Sequence, residues 1–218
     1  MQEELERGYN LYIVTVLLCV TNVLVYIYSV YSMEDAYIFG GINYHMVLEQ
    51  KEYYRFLTSI YLHADISHIA LNMLALVTAG SLVESYLGSF KTVFIYFLSG
   101  FGGSVLSLLF HNPEDNVYSI GASGAIFGLL MAASLIQNKK EGKSLIKAIL
   151  FVIIYAVGTW TQGVDLLGHI GGALAGAVVS VIACIHFKED YQEKIMFKII
   201  GVLIALGISG AACVVILI

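Results

Sequence analysis

Residues 166–186 read LLGHIGGALAGAVVSVIACIH. This run is long enough to cross the ~30 Å hydrocarbon core of a bilayer, which takes ~20 helical residues. It carries no carboxylate or lysine, yet it holds a histidine, His169, near its start. Gly168, Gly172 and Gly176 recur at i+4, a small-xxx-small stripe that lets helix backbones approach closely. A spanning helix with a packing seam and one titratable group beside it sets the question for the rest of the chain.

Six further apolar runs surround it. They fall at about 10–31, 66–87, 91–110, 121–137, 145–160 and 195–218. The predicted fold is an all-α polytopic helix bundle. It forms one domain over 1–218, a core at 10–186 plus an extra C-terminal transmembrane helix at 195–218. The composition agrees. Of 218 residues, 59% are hydrophobic and 12% charged, with mean hydropathy +0.82. A soluble domain carries about twice that charge. The net charge of −5 argues against a nucleic-acid partner. Cys19, Cys184 and Cys213 lie inside apolar runs without CxxC or Cys/His spacing, so neither a disulfide framework nor a zinc site is expected. No cofactor is expected either. The first run follows an acidic segment without a cleavage pattern, so it is read as a span and not as a signal peptide.

Lysine and arginine set the orientation. With a cytoplasmic N-terminus, Arg7, Lys91, Lys139, Lys140, Lys143, Lys147, Lys188, Lys194 and Lys198 lie inside, and only Lys51 and Arg55 outside. The C-terminus is then external. The lysine-rich composition points to a bacterial source.

Polar residues inside spans need a reason, and here they gather at one level. Ser123 precedes the inner boundary near Asn138 by fifteen residues, or ~22 Å, which places it ~8 Å below the outer surface. His169 counts back to a similar depth. His68 and Asn72 enter the second span from outside and share a face at i, i+4. A serine, a histidine and paired donors in one layer supply a nucleophile, a base and an oxyanion site for acyl transfer.

With these residues in place, the chain resembles the rhomboid family of intramembrane serine proteases. Its nucleophile motif reads Gly121-Ala122-Ser123-Gly124, and its base motif reads His169, Gly172 and Gly176. The second-span pattern reads His63, His68 and Asn72, continued by Gly80, Glu84 and Gly88. The first-loop signature reads Glu52-Tyr53-Tyr54-Arg55, with Tyr54 where the family has tryptophan. Phe127 stands where some members have tyrosine. The resemblance implies a Ser123–His169 dyad, with His68, Asn72 and the Ser123 N–H as oxyanion donors. It assigns supporting places to Phe127, His63, Gly121, Gly124, Gly172 and Arg55. Arg55 is expected to anchor the first loop at the interface, and His63 to tie that loop to the second span. Glu84 is expected to bond loop or backbone groups at the inner end, and Asp165 to be a solvated loop residue. Substrates would be membrane proteins entering sideways from lipid and cut near the outer face. The fifth span and residues 161–165 would form a mobile gate and cap. The alternative is a catalytically silent rhomboid-like scaffold that binds membrane clients. A proton-relay transporter is disfavoured, since it wants paired midplane carboxylates and only Glu84 comes near.

Overall fold

The computed structural model describes residues 12–32, 36–110, 114, 116–141, 146, 149–150, 152, 154, 165–184 and 195–217. The described residues are almost all helical. The helices are α1 (Ile13–Ser32), α2 (Ala36–Gly40), α3 (Arg55–Thr58), α4 (Ile66–Phe110), α5 (Ser123–Lys140), α6 (Leu166–Cys184) and α7 (Ile195–Leu217). α1, α4, α6 and α7 are long and apolar enough to cross a membrane. The fifth expected span, residues 161–164 of the expected cap, His111 and His186 lie outside the described residues, apart from isolated helical positions between 146 and 154.

The second and third expected spans are not separated by a loop. They form the two arms of α4, 66–87 and 89–110, joined through Gly88 alone, whose φ of 83° lies in the left-handed region that favours glycine. The arms fold back on each other. His68 and Gly103 lie at the two ends of α4, yet both belong to one layer: a Cβ on Gly121 would sit 2.8 Å from the His68 ring, and one on Gly103 would sit 3.3 Å from Gly124. At the opposite end, the Lys91 ammonium donates to the Ala183 carbonyl (3.0 Å), near the end of α6, and Lys140 bonds Tyr86.

Glu84 closes that same end. Its carboxylate accepts from the backbone N–H of Val14 (3.1 Å) and Thr15 (2.9 Å), the Thr15 hydroxyl (2.7 Å) and the Ser89 hydroxyl (2.6 Å). The first turn of a helix has unsatisfied N–H groups and a partial positive charge. Glu84 meets both needs of α1, so its role is structural, as the sequence suggested.

The centre of the bundle holds Leu76, Leu87, Tyr96, Leu129 and their neighbours. Leu24, Val30, Leu174, Val178 and Leu203 face outward, as lipid contact requires. In lipid, helix association rests on packing and not on water exclusion, and α5 and α6 pack closely. A Cβ on Gly172 would run into the Gly124 carbonyl, and one on Gly176 into the Gly128 backbone. We therefore expect Gly172→Ala to push α6 from α5, at about 1–3 kcal/mol. The check is a thermal melt of the purified variant beside Gly207→Ala, where an added Cβ meets nothing within 4 Å.

The first loop is compact. Residues 36–61 carry α2, a π-helical turn (His45–Glu49), α3 and a 3-10 turn (Ser59–Tyr61). Arg55 organises it from within, not from the interface: it is 3% exposed, pairs with Glu52 (2.6 Å), and donates to the carbonyls of Ile38 and Gly41 (2.8 Å each). Tyr54, at the signature tryptophan position, is exposed and donates to the Phe39 carbonyl (3.2 Å).

Candidate active site

Ser123 is the first residue of α5. The opening turn of a helix leaves N–H groups without intrahelical acceptors and concentrates the positive end of the dipole there. The serine thus sits where a developing anion is favoured. The turn before it is held from both sides. The Gly121 N–H donates to the Ser59 carbonyl (2.8 Å), and Ser119 exchanges two backbone hydrogen bonds with Ile42 (2.8 and 2.9 Å). Gly121 has φ 122°, and no side chain would fit there beside His68.

His68 and Asn72 converge on that turn. The Cβ position of Gly121 lies 2.8 Å from His68 Nε2 and 3.7 Å from Asn72 Nδ2. His68 Nδ1 accepts from the Ala64 N–H (3.4 Å). In a neutral imidazole that leaves the proton on Nε2, the nitrogen facing the turn. Asn72 Nδ2 is buried and has no hydrogen-bond partner among the described residues. Leaving such a donor unmade costs about 1–3 kcal/mol. Two donors therefore point at the serine turn, and one of them is idle.

His63 stands behind His68, their rings edge to face at 5.0 Å. Its Nδ1 bonds the Tyr61 carbonyl (3.2 Å). Burial, with His68 adding to it, pushes the His63 pKa down to about 3, so the ring is neutral. It contacts the Tyr61 carbonyl on the first-loop side and the His68 ring on the second-span side.

His169 comes from the first turn of α6 and is buried. Its ring stacks on Phe127 at 4.2 Å and 20°. His169 Nδ1 has no hydrogen-bond partner among the described residues. α6 and α5 touch here, since the Gly168 carbonyl is 3.3 Å from the Cβ position of Gly124. A small open pocket borders Ser123, Gly121, Ser119, Ser59, Gly100 and Asp165.

Asp165 corrects the sequence reading, which made it a solvated loop residue. It is half-buried, its Oδ1 accepts from the Gly168 N–H (2.7 Å) and its Oδ2 from the Ser119 hydroxyl (2.5 Å). It is the N-cap of α6, and it also holds the strand of chain leading to Ser123. The signal was present: an aspartate directly before the first apolar residue of a helix marks an N-cap. Ser119 had no such signal.

A Rhomboid domain family model matches residues 50–186, more than half of the chain. The chain is 34% identical over 160 residues to RHOMBOID-like protein 6, mitochondrial, of Arabidopsis thaliana, covering 71% of this chain and 51% of that protein. It is 33% identical over 172 residues to Rhomboid protease GluP of Bacillus subtilis, covering 77% and 33%. It is 28% identical over 199 residues to Rhomboid protease AarA of Providencia stuartii, covering 77% and 71%. The chain thus spans about half or less of the length of the first two relatives, which come from a plant and a bacterium.

Proposed function

The chain belongs to the rhomboid family, and from that premise we propose that it is an intramembrane serine endopeptidase acting through a Ser123–His169 dyad. The observation that carries this reading is the convergence of His68 Nε2 and the idle Asn72 amide on the turn that opens the Ser123 helix. Idle donors beside a helix N-terminus suit a charge that exists only during reaction.

In this reading the Ser123 hydroxyl gives its proton to His169 as its oxygen attacks a substrate carbonyl carbon. The carbonyl oxygen becomes an oxyanion held by His68 Nε2–H, Asn72 Nδ2–H and the Ser123 N–H. The C–N bond breaks when His169 returns the proton to the leaving amine. A water molecule, giving its proton to His169, then attacks the acyl-enzyme, and His169 passes that proton to the Ser123 oxygen as the acyl bond breaks. His169 acts without a carboxylate, because the Asp165 side chain is engaged with Ser119 and Gly168. Substrates are membrane proteins cut near the outer face. The lysine-bearing end that includes Lys91 and Lys140 lies opposite the Ser123 end, which supports a site opening away from the cytoplasm.

One experiment tests both parts. A membrane-impermeant fluorophosphonate added to intact cells expressing the protein is expected to label Ser123. Labelling only after permeabilisation would reverse the orientation. No labelling in either state would overturn the catalytic reading in favour of a silent scaffold.

A further inference from the structure

α7 lies after the residues that the family match covers, and nothing above gives it a task. It packs on α1, α3 and α4. Most of its outward face is apolar, but Ser209 points inward and is buried. Its hydroxyl meets the Tyr61 hydroxyl at 2.8 Å. Tyr61 is 0% exposed, at the end of the 3-10 turn of the first loop.

That turn feeds both halves of the oxyanion region. The Tyr61 carbonyl holds His63 Nδ1, and the His63 ring stands edge-on against His68. Two residues earlier, the Ser59 carbonyl accepts the Gly121 N–H (2.8 Å). The buried hydroxyl pair is therefore a hydrogen-bonded point at which α7 grips the segment that positions His68 and the serine turn. In an apolar bundle a tyrosine hydroxyl needs a partner, and this one is 148 residues away in sequence.

We propose that Tyr61 and Ser209 are positioning residues through which α7 sets the His68 side of the oxyanion site. The proposal rests on the oxyanion role given to His68 above. Small displacements of a donor cost rate more than binding, because the donor acts in the transition state.

The experiment uses full-length purified protein in detergent or liposomes, a fluorogenic transmembrane peptide, and a parallel thermal melt. Five variants are needed: Tyr61→Phe, Ser209→Ala, the double variant of these two, His68→Ala, and Ser209→Ala combined with His68→Ala. Each single variant leaves one buried hydroxyl unpaired, so both stability and kcat are expected to fall. The double variant leaves none unpaired, so its melting temperature is expected to return toward wild type. Its kcat is expected to stay about tenfold down with KM unchanged, because the grip is gone. In the His68→Ala background, Ser209→Ala is expected to add almost nothing to the loss of kcat. Recovery of kcat together with stability in the double variant would overturn the proposal, as would a full additional loss on top of His68→Ala. Should His68→Ala alone leave kcat unchanged, it is the oxyanion role of His68 that fails.

Discussion

Ser123→Ala is expected to reduce peptide cleavage on the order of 10⁵–10⁶-fold while leaving membrane insertion and the melting temperature close to wild type. The two halves of this expectation come from different parts of the structure. Ser123 is half-buried beside a small open pocket, and it opens α5 without holding any neighbouring element. The N-cap position belongs to Ala122, which makes no side-chain bond there. Alanine also suits a helix better than serine does. The hydroxyl therefore has nothing structural to lose. In the dyad reading, by contrast, it is the atom that forms the acyl bond. Residual catalysis would come only from groups that bind and polarise the carbonyl. Cleavage of a transmembrane reporter, quantified against the melt of the same preparation, checks both halves. Turnover within tenfold of wild type would overturn the nucleophile assignment. A collapse in stability would show that the serine is part of the packing.

The sequence made the spans legible because bilayer thickness fixes helix length and lysines mark one side. The site was legible for a related reason. A His, Asn or Ser inside an apolar run is costly, so Ser123, His169, His68 and Asn72 each stood out from their surroundings. Depth, counted at 1.5 Å per residue, puts Ser123 and His169 in one layer, and entry from outside puts His68 and Asn72 there too; His68 and Asn72 lie beside the Gly121 turn that precedes Ser123. The features that were illegible are those whose partners lie far off in sequence and carry ordinary residue types. Ser119 and Asp165 are 46 residues apart and Tyr61 and Ser209 are 148 apart, and neither pair has a spacing rule. The Gly88 bend escaped for the opposite reason. A single left-handed residue reverses the chain, where a loop of several polar residues would have been visible. From the sequence, Arg55 is expected at the interface, as the anchor of the first loop. Here three local acceptors, Glu52 and the carbonyls of Ile38 and Gly41, outbid the headgroups.

Asn72→Ala is expected to lower kcat by ~10²–10³-fold, about 2.7–4 kcal/mol, with little change in KM. The competing view is that Asn72 bridges helices, as most buried polar residues in membrane bundles do. Such bonds are worth ~0.6 kcal/mol on average, and their loss shows in stability. The resting structure bears on the choice. Asn72 Nδ2 is buried without a hydrogen-bond partner among the described residues, so it bridges none of their helices, and it lies beside the Gly121 turn. Removing an idle amide relieves a desolvated donor, so the melting temperature of Asn72→Ala should hold or rise slightly. The cost should appear only when a carbonyl oxygen takes on charge. His68→Ala should lower kcat by a similar factor, but it also removes the ring that His63 packs against, so some stability should go with it. The two donors act on one charge, and the double variant should lose less than the product of the singles. Steady-state kinetics on the four proteins, each paired with a melt, separates the views. An Asn72→Ala enzyme with kcat within a few-fold of wild type and a lowered melting temperature would make Asn72 structural, leaving the oxyanion to His68 and the Ser123 N–H at the head of α5.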